Sequence, residues 1–124
     1  LECALKIKEA SYIHAEGFAG GELKHGVIAL IEKGTPCIVL APKDETYGAI
    51  MAAAMEVKAR GGFIVGLSFK DNEVFDYFIR VPDCGIGSII PNVAVCQTLA
   101  YYLTQIIKLD PDKPRNLAKS VTVR

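Results

Sequence analysis

Two short apolar runs constrain the fold of this chain more than anything else in it. They are Cys37-Ile38-Val39-Leu40-Ala41, entered through Thr35-Pro36, and Phe63-Ile64-Val65-Gly66-Leu67, entered through Gly61-Gly62. Neither alternates apolar with polar residues, so each suits a strand covered on both faces, as in a parallel sheet. Between them Ile50, Ala53, Ala54 and Val57 recur at helical spacing behind Asp44, a candidate N-cap, until Gly61-Gly62 ends the pattern. The spacing predicts a helix over about 45–60. A third strand is expected over about 77–81, after the polar turn Asp71-Asn72-Glu73, and a long apolar helix over about 89–108. Strand, helix, strand, strand, helix is the order of an α/β fold. It predicts a three-layer sandwich in which a mostly parallel sheet is flanked by helices on both faces.

The first part of the chain is less regular. Leu5, Tyr12, Ala15, Gly17 and Ala19 give a loose helical pattern, and Ser11 is a candidate N-cap for a short helix over about 12–19. Gly17, Gly20, Gly21 and Gly26 surround Glu22-Leu23-Lys24-His25 with too much glycine for a helix interior, which predicts a turn or irregular loop that displays its side chains. The polar, proline-punctuated residues 110–124 are expected on the surface or on a partner.

At 124 residues, with 51% hydrophobic and 23% charged, the chain can bury one core as one domain. Fourteen basic and fourteen acidic residues balance, and no Lys/Arg run forms a footprint for nucleic acid. Apolar runs such as Cys37 to Ala41 are far below the roughly 20 residues of a bilayer span, and the N-terminus lacks a signal pattern. A cytoplasmic protein with no membrane partner is expected. Cys3, Cys37, Cys84 and Cys96 are widely separated, which favours buried free thiols over a disulfide or a metal site. The chain starts at Leu1, without methionine, as an excised piece of something longer would.

Three segments carry a resemblance that spans nearly the whole chain: Leu5-Lys6-Ile7-Lys8-Glu9 through Tyr12-Ile13-His14-Ala15-Glu16, the loop Gly21-Glu22-Leu23-Lys24-His25-Gly26, and the tail Pro114-Arg115-Asn116-Leu117-Ala118-Lys119-Ser120-Val121-Thr122-Val123. Together they resemble the glutamine:fructose-6-phosphate aminotransferase family. That family's isomerase domain has two SIS halves behind an N-terminal glutaminase domain. The likeness is to the second half, with residues 1–109 as an SIS domain and 110–124 as the tail that bears the reactive lysine. It implies the first step of hexosamine synthesis, in which fructose 6-phosphate and ammonia from glutamine give glucosamine 6-phosphate.

The resemblance also implies roles. Lys119 falls on the Schiff-base lysine, whose amine attacks a carbonyl only when neutral, with Arg115 a candidate cation to depress its pKa. Glu9 falls on the general base for proton transfer between carbons, with Lys6 beside it, and Glu2 on another active-site carboxylate. His25 falls on the ring-opening histidine presented to the neighbouring subunit, which implies a homodimer. Glu2, Arg115 and Ala118 are expected to bind substrate, and no cofactor or metal is implied. Taken on the residues alone, Lys6 and Glu9 would be a surface ion pair, Lys119 a solvated tail residue and His25 an exposed loop histidine. His14 is expected on the short helix beside Glu16 in a structural role.

Two positions depart from the family pattern: Gly26-Val27 stands where Gly-Pro is expected, and Arg124 where an acidic residue is expected. The Ser/Thr-rich loops that hold the sugar phosphate belong mainly to the family's first SIS half, and no comparable loop is visible in this sequence. The chain alone is therefore expected to be inactive and to depend on the first SIS half and the glutaminase domain. Two other readings stay open. One is a related two-SIS deglycase, which need not keep the Leu117-Ala118-Lys119-Ser120 tail. The other is a non-catalytic sugar-phosphate-binding SIS module, which would not need Lys119.

Overall fold

A computed structural model of the chain describes residues 1–116. Ala118 and Lys119, and the tail motif around them, lie outside the described residues. The chain divides into two compact units, Phe18–Asn92 and a second made of Leu1–Gly17 with the residues from Val93 onward.

The Phe18–Asn92 unit is built on a three-stranded parallel sheet. Its strands are β1 (Pro36–Ala41), β2 (Phe63–Ser68) and β3 (Tyr77–Arg80), in the order β1-β2-β3. Pro36 is in register with Phe63, and Val65 with Tyr77. The central strand is bonded on both edges and covered on both faces, so Ile64, Leu67 and Ser68 are buried, as a continuous apolar run requires. The expected helix is α2 (Tyr47–Ala59), which buries Met51, Ala54 and Val57 against Ala41, Ile64 and Val74. Each large side chain in that cluster contributes roughly 1.5–3 kcal/mol on burial. A parallel sheet with flanking helices is thus the observed fold class.

Both ends of α2 follow local chemistry. Asp44 is not its N-cap, because that position is Thr46. Instead the Asp44 carboxylate accepts the Thr46 N–H at 2.8 Å, an Asx turn, so the helix begins two residues later than the sequence suggested. At the other end Gly61 takes φ 90, and Gly61 N–H donates to Lys58 O at 2.9 Å while Gly62 N–H donates to Val57 O at 3.1 Å.

β2 and β3 run parallel although only residues 69–76 join them, without a helix, where parallel pairs usually need about a dozen residues or more. Three features make the short crossover fit. Val74 is buried, the Phe75 ring lies on Gly66, and Asp76 exchanges two bonds with Ile64, each of 2.8 Å. The Asp76 carboxylate also pairs with Lys58. The Ile64 N–H first, and then Lys58, hold its pKa below the usual carboxylate value.

In the other unit the expected helix over 12–19 is absent, and α1 (Glu2–Ser11) precedes it. Ser11 is its last residue rather than an N-cap. The Ser11 hydroxyl donates back to Ile7 O at 2.7 Å and is buried with Ile7, so the core-facing stripe runs through Ile7 and not through the exposed Leu5. Tyr12 then turns left-handed at φ 59, which ends the helix. His14 consequently sits on irregular chain, 3.4 Å from Glu16. The last helix, α3 (Ile89–Ile106), buries Cys96, Ala100 and Thr104.

Two further expectations need correction. All four cysteines are free, but Cys84 is exposed on a loop and only Cys96 is buried. The uninterrupted apolar runs are short as expected, but the helical run Gly85–Ile106, 22 residues containing an 18-residue stretch of mean hydropathy 1.2, is long and apolar enough to cross a membrane by length and composition. It carries buried polar side chains, Asn92 and Thr104, that return hydrogen bonds to its own backbone at 2.7 Å.

A Cβ on Gly66 would lie 2.4 Å from the root of the Phe75 ring. Gly66→Ala is expected to destabilise the chain by about 1–3 kcal/mol through overpacking. Urea unfolding checks this, and an unchanged midpoint would show that the ring yields freely.

Candidate functional site

In the unit containing α1, the spacing of Glu2, Lys6 and Glu9 places all three on one helix face. Lys6 Nζ lies 2.8 Å from Glu9 Oε2 and 3.5 Å from Glu2 Oε1. The Glu9 hydrogen bond chiefly, aided by the Glu2 charge, raises the Lys6 pKa against a smaller opposing effect of burial. A lysine held protonated in this way is not a nucleophile. Its chemistry is to neutralise and orient two carboxylates.

That face opens on a cleft of about 250 Å³. Lys6, Glu9 and Ala10 of α1 line it with Gln97, Ala100 and Tyr101 of α3 and with Pro111 and Pro114 of the following segment. The segment continues to Arg115, whose backbone N–H donates to the Tyr12 hydroxyl at 2.6 Å while its guanidinium stacks 4.0 Å from the centre of the Tyr12 ring. The sequence reading missed Tyr12. Beside the cleft, burial foremost and the neighbouring Cys3 thiol next push the Cys96 thiol up to about 12. It is therefore inert as a nucleophile near neutrality.

In the Phe18–Asn92 unit the glycine-rich loop forms two short 3-10 turns, Gly20–His25 and Val27–Leu30, separated by Gly26 at φ 136. Leu23 packs on the core and Lys24 reaches Glu56 of α2 at 2.9 Å, so the loop is held at its middle. His25 is displayed, with its side chain 71% exposed and its Nδ1 2.8 Å from Glu22 Oε2. Glu22 engages Nδ1, so proton exchange by the ring with another molecule would go through Nε2. Glu22 was legible in the Glu-x-x-His spacing but was not singled out.

The carboxyl ends of parallel strands are the usual ligand site of an α/β sheet. Here that position holds only about 10 Å³, among Ala41, Lys43, Ser68, Asp83 and Asn92. This is room for one water and not for a sugar phosphate. Asn92 Oδ1, buried there with no hydrogen-bond partner among the described residues, is the group such a water would satisfy.

Glu9→Gln is expected to bring the Lys6 pKa down toward the ordinary lysine value, which an NMR titration of the Lys6 side chain reads directly. Because the folded pKa is raised, the pair stabilises below the unfolded lysine pKa, and the effect is lost as pH rises through the folded value. With both side chains about a third exposed, the stability difference is about 0.2–0.5 kcal/mol near neutrality. An unmoved Lys6 titration would count against the pairing.

Comparison with known proteins gives the same regions a context. The chain is 48% identical to the glutamine–fructose-6-phosphate aminotransferase [isomerizing] of Methanosarcina mazei over 99% of its own length and 21% of the relative's. It is also 45% identical to the Aquifex aeolicus enzyme of that name, over 99% of this chain and 22% of the relative. It thus spans about a fifth of the curated relatives it matches. Among solved structures, the C-terminal domain of glucosamine-fructose-6-phosphate aminotransferase from Francisella tularensis superposes with a TM-score of 0.78 at 36% identity, covering 90% of this chain and 33% of that one. Glucosamine-6-phosphate deaminase from Thermotoga maritima superposes with a TM-score of 0.75 at 26% identity, over 98% of this chain and 35% of that one. The family pattern described as the SIS domain matches residues 1–78, more than half of the chain, and the chain belongs to that family.

Proposed function

We propose that this chain is the second SIS half of an isomerase domain that converts fructose 6-phosphate and ammonia to glucosamine 6-phosphate. The observation that carries the reading is the Glu2–Lys6–Glu9 face of α1, which opens on a cleft also lined by Pro111 and Pro114. In a chain whose relatives are named for that reaction, the segment leading to Lys119 thus lies beside the carboxylates that would move a proton.

In this reading residues 1–109 are the SIS half and 110–124 the tail. Lys119, as the free amine, attacks the open-chain carbonyl to form a Schiff base with loss of water, from which ammonia displaces the lysine. Glu9 shuttles the proton between neighbouring carbons, and Lys6 orients its carboxylate until substrate arrives. His25, oriented by Glu22, moves the proton that opens the sugar ring in a neighbouring subunit, so a homodimer is part of the proposal. Glu2, Arg115 and Ala118 contact the substrate. The first SIS half supplies the phosphate cradle and a glutaminase domain the ammonia, all in the cytoplasm. The closed carboxyl ends of this sheet favour a phosphate cradle elsewhere.

A second reading, a related two-SIS deglycase, draws support from the likeness to glucosamine-6-phosphate deaminase. It would not require Lys119.

Calorimetry with fructose 6-phosphate, with and without a first SIS half supplied in trans, and borohydride trapping with Lys119→Ala as control, test the proposal. The chain alone is expected to give no binding heat, and the combined halves to bind and yield an adduct on Lys119. Binding by the chain alone would favour a regulatory sugar-phosphate module. Binding by the combined halves with no trapped adduct would favour the deglycase.

A further inference from the structure

We propose that Gln97 and Tyr101 of α3 are specificity-determining residues of the cleft beside α1, and that this cleft takes the uncharged, hydroxyl-bearing carbon chain of a ligand rather than its phosphate. That the ligand is a sugar phosphate rests on the aminotransferase reading. The chemistry assigned to the cleft wall does not.

The described residues that line the cleft carry two charges, Lys6 and Glu9, and these already neutralise each other at 2.8 Å. A phosphate entering here would lose its hydration for a cation that a carboxylate already holds, which is unfavourable. A hydroxyl is better matched, because it can donate to the carboxylate and accept from the ammonium without separating them.

The wall formed by α3 is polar without being charged. Gln97 and Tyr101 stand one helical turn apart, beside the short side chain of the buried Ala100. Ala10 of α1 is equally short, so room remains for a ligand among Gln97, Tyr101 and the Lys6–Glu9 pair. Gln97 is exposed, as is Tyr101, and the Tyr101 ring is braced. Tyr102 meets it edge-on, with ring centres 5.6 Å apart and planes at 74°. A ring held in this way offers its electron-rich face to the C–H bonds of a sugar chain. The Gln97 amide, with donor and acceptor in one plane, matches two neighbouring hydroxyls. Size points the same way. At about 250 Å³ the cleft is smaller than the roughly 300–1,000 Å³ of pockets that enclose a whole ligand, so it receives part of one.

The test uses the protein that carries this chain with its first SIS half, and the variants Gln97→Leu, Tyr101→Leu and Tyr101→Phe. All three are at exposed positions, and an unchanged melting temperature checks that each folds. Calorimetry with fructose 6-phosphate is expected to show binding weakened about tenfold in Gln97→Leu and about fivefold in Tyr101→Leu, with Tyr101→Phe restoring most of the loss. The Gln97 side-chain amide, followed by NMR, should shift with fructose 6-phosphate and not with inorganic phosphate. Undiminished affinity in Gln97→Leu and Tyr101→Leu overturns the proposal, and so does a Gln97 shift on adding inorganic phosphate. No binding of fructose 6-phosphate by the unsubstituted protein sinks the aminotransferase reading instead. The cleft is then decided by sorbitol, a polyol without phosphate: at high concentration it should shift the Gln97 amide, and an unmoved resonance overturns the assignment.

Discussion

The contact between Phe75 and the bare backbone of Gly66 is what the sheet depends on. A parallel strand pair joined by residues 69–76 has no length for a covering helix, so the crossover must lie directly on the strand it leaves. It can do so only where that strand has no side chain. With Phe75 seated, Asp76 meets the Ile64 backbone and sets the register of β3, and β3 delivers Pro82 and Asp83 to the carboxyl ends of the strands. There Asp83 pairs with Lys43 at 3.3 Å, and the Gly85 N–H foremost, with Lys43, keeps its pKa below the usual carboxylate value. The packing that permits the crossover thus ends in a sheet edge with little room for a ligand.

Much of this was legible in the residues because burial on two faces leaves a plain trace. β1 and β2 are unbroken apolar runs, and α2 repeats at helical spacing until two glycines stop it. The Glu2, Lys6 and Glu9 spacing needed only a helix to bring the three together. What escaped has physical reasons as well. The phase of α1 was misjudged because Ile7 and Ser11 face the interior while the more conspicuous Leu5 does not. Ser11 has the chemistry of a cap at either end of a helix, and only its bond to Ile7 O shows which. Asp76 and Tyr12 act through partners 12 and 103 residues away, separations that no local pattern encodes.

The candidate residues are divided between the two units. One unit holds the carboxylate pair, its lysine and the approach to the tail; the other displays a histidine with its orienting glutamate. Each carries polar groups already matched to one another before any substrate is present, so a reaction there would begin by exchanging internal partners for substrate atoms. The His25–Glu22 pair is largely solvent-exposed, which keeps that exchange inexpensive there, whereas the Lys6–Glu9 pair is only about a third exposed.

The exposed apolar side chains of the last helix bear on solution behaviour. Ile89, Ile90, Tyr102 and Ile106 are all more than half exposed, and apolar surface in water is unfavourable by about 25 cal/mol per Å². Whatever protein surface covers them contributes to the stability of the fold beneath. Where the cover is a second molecule, mass action links the two, and the melting temperature becomes a function of concentration as much as of sequence.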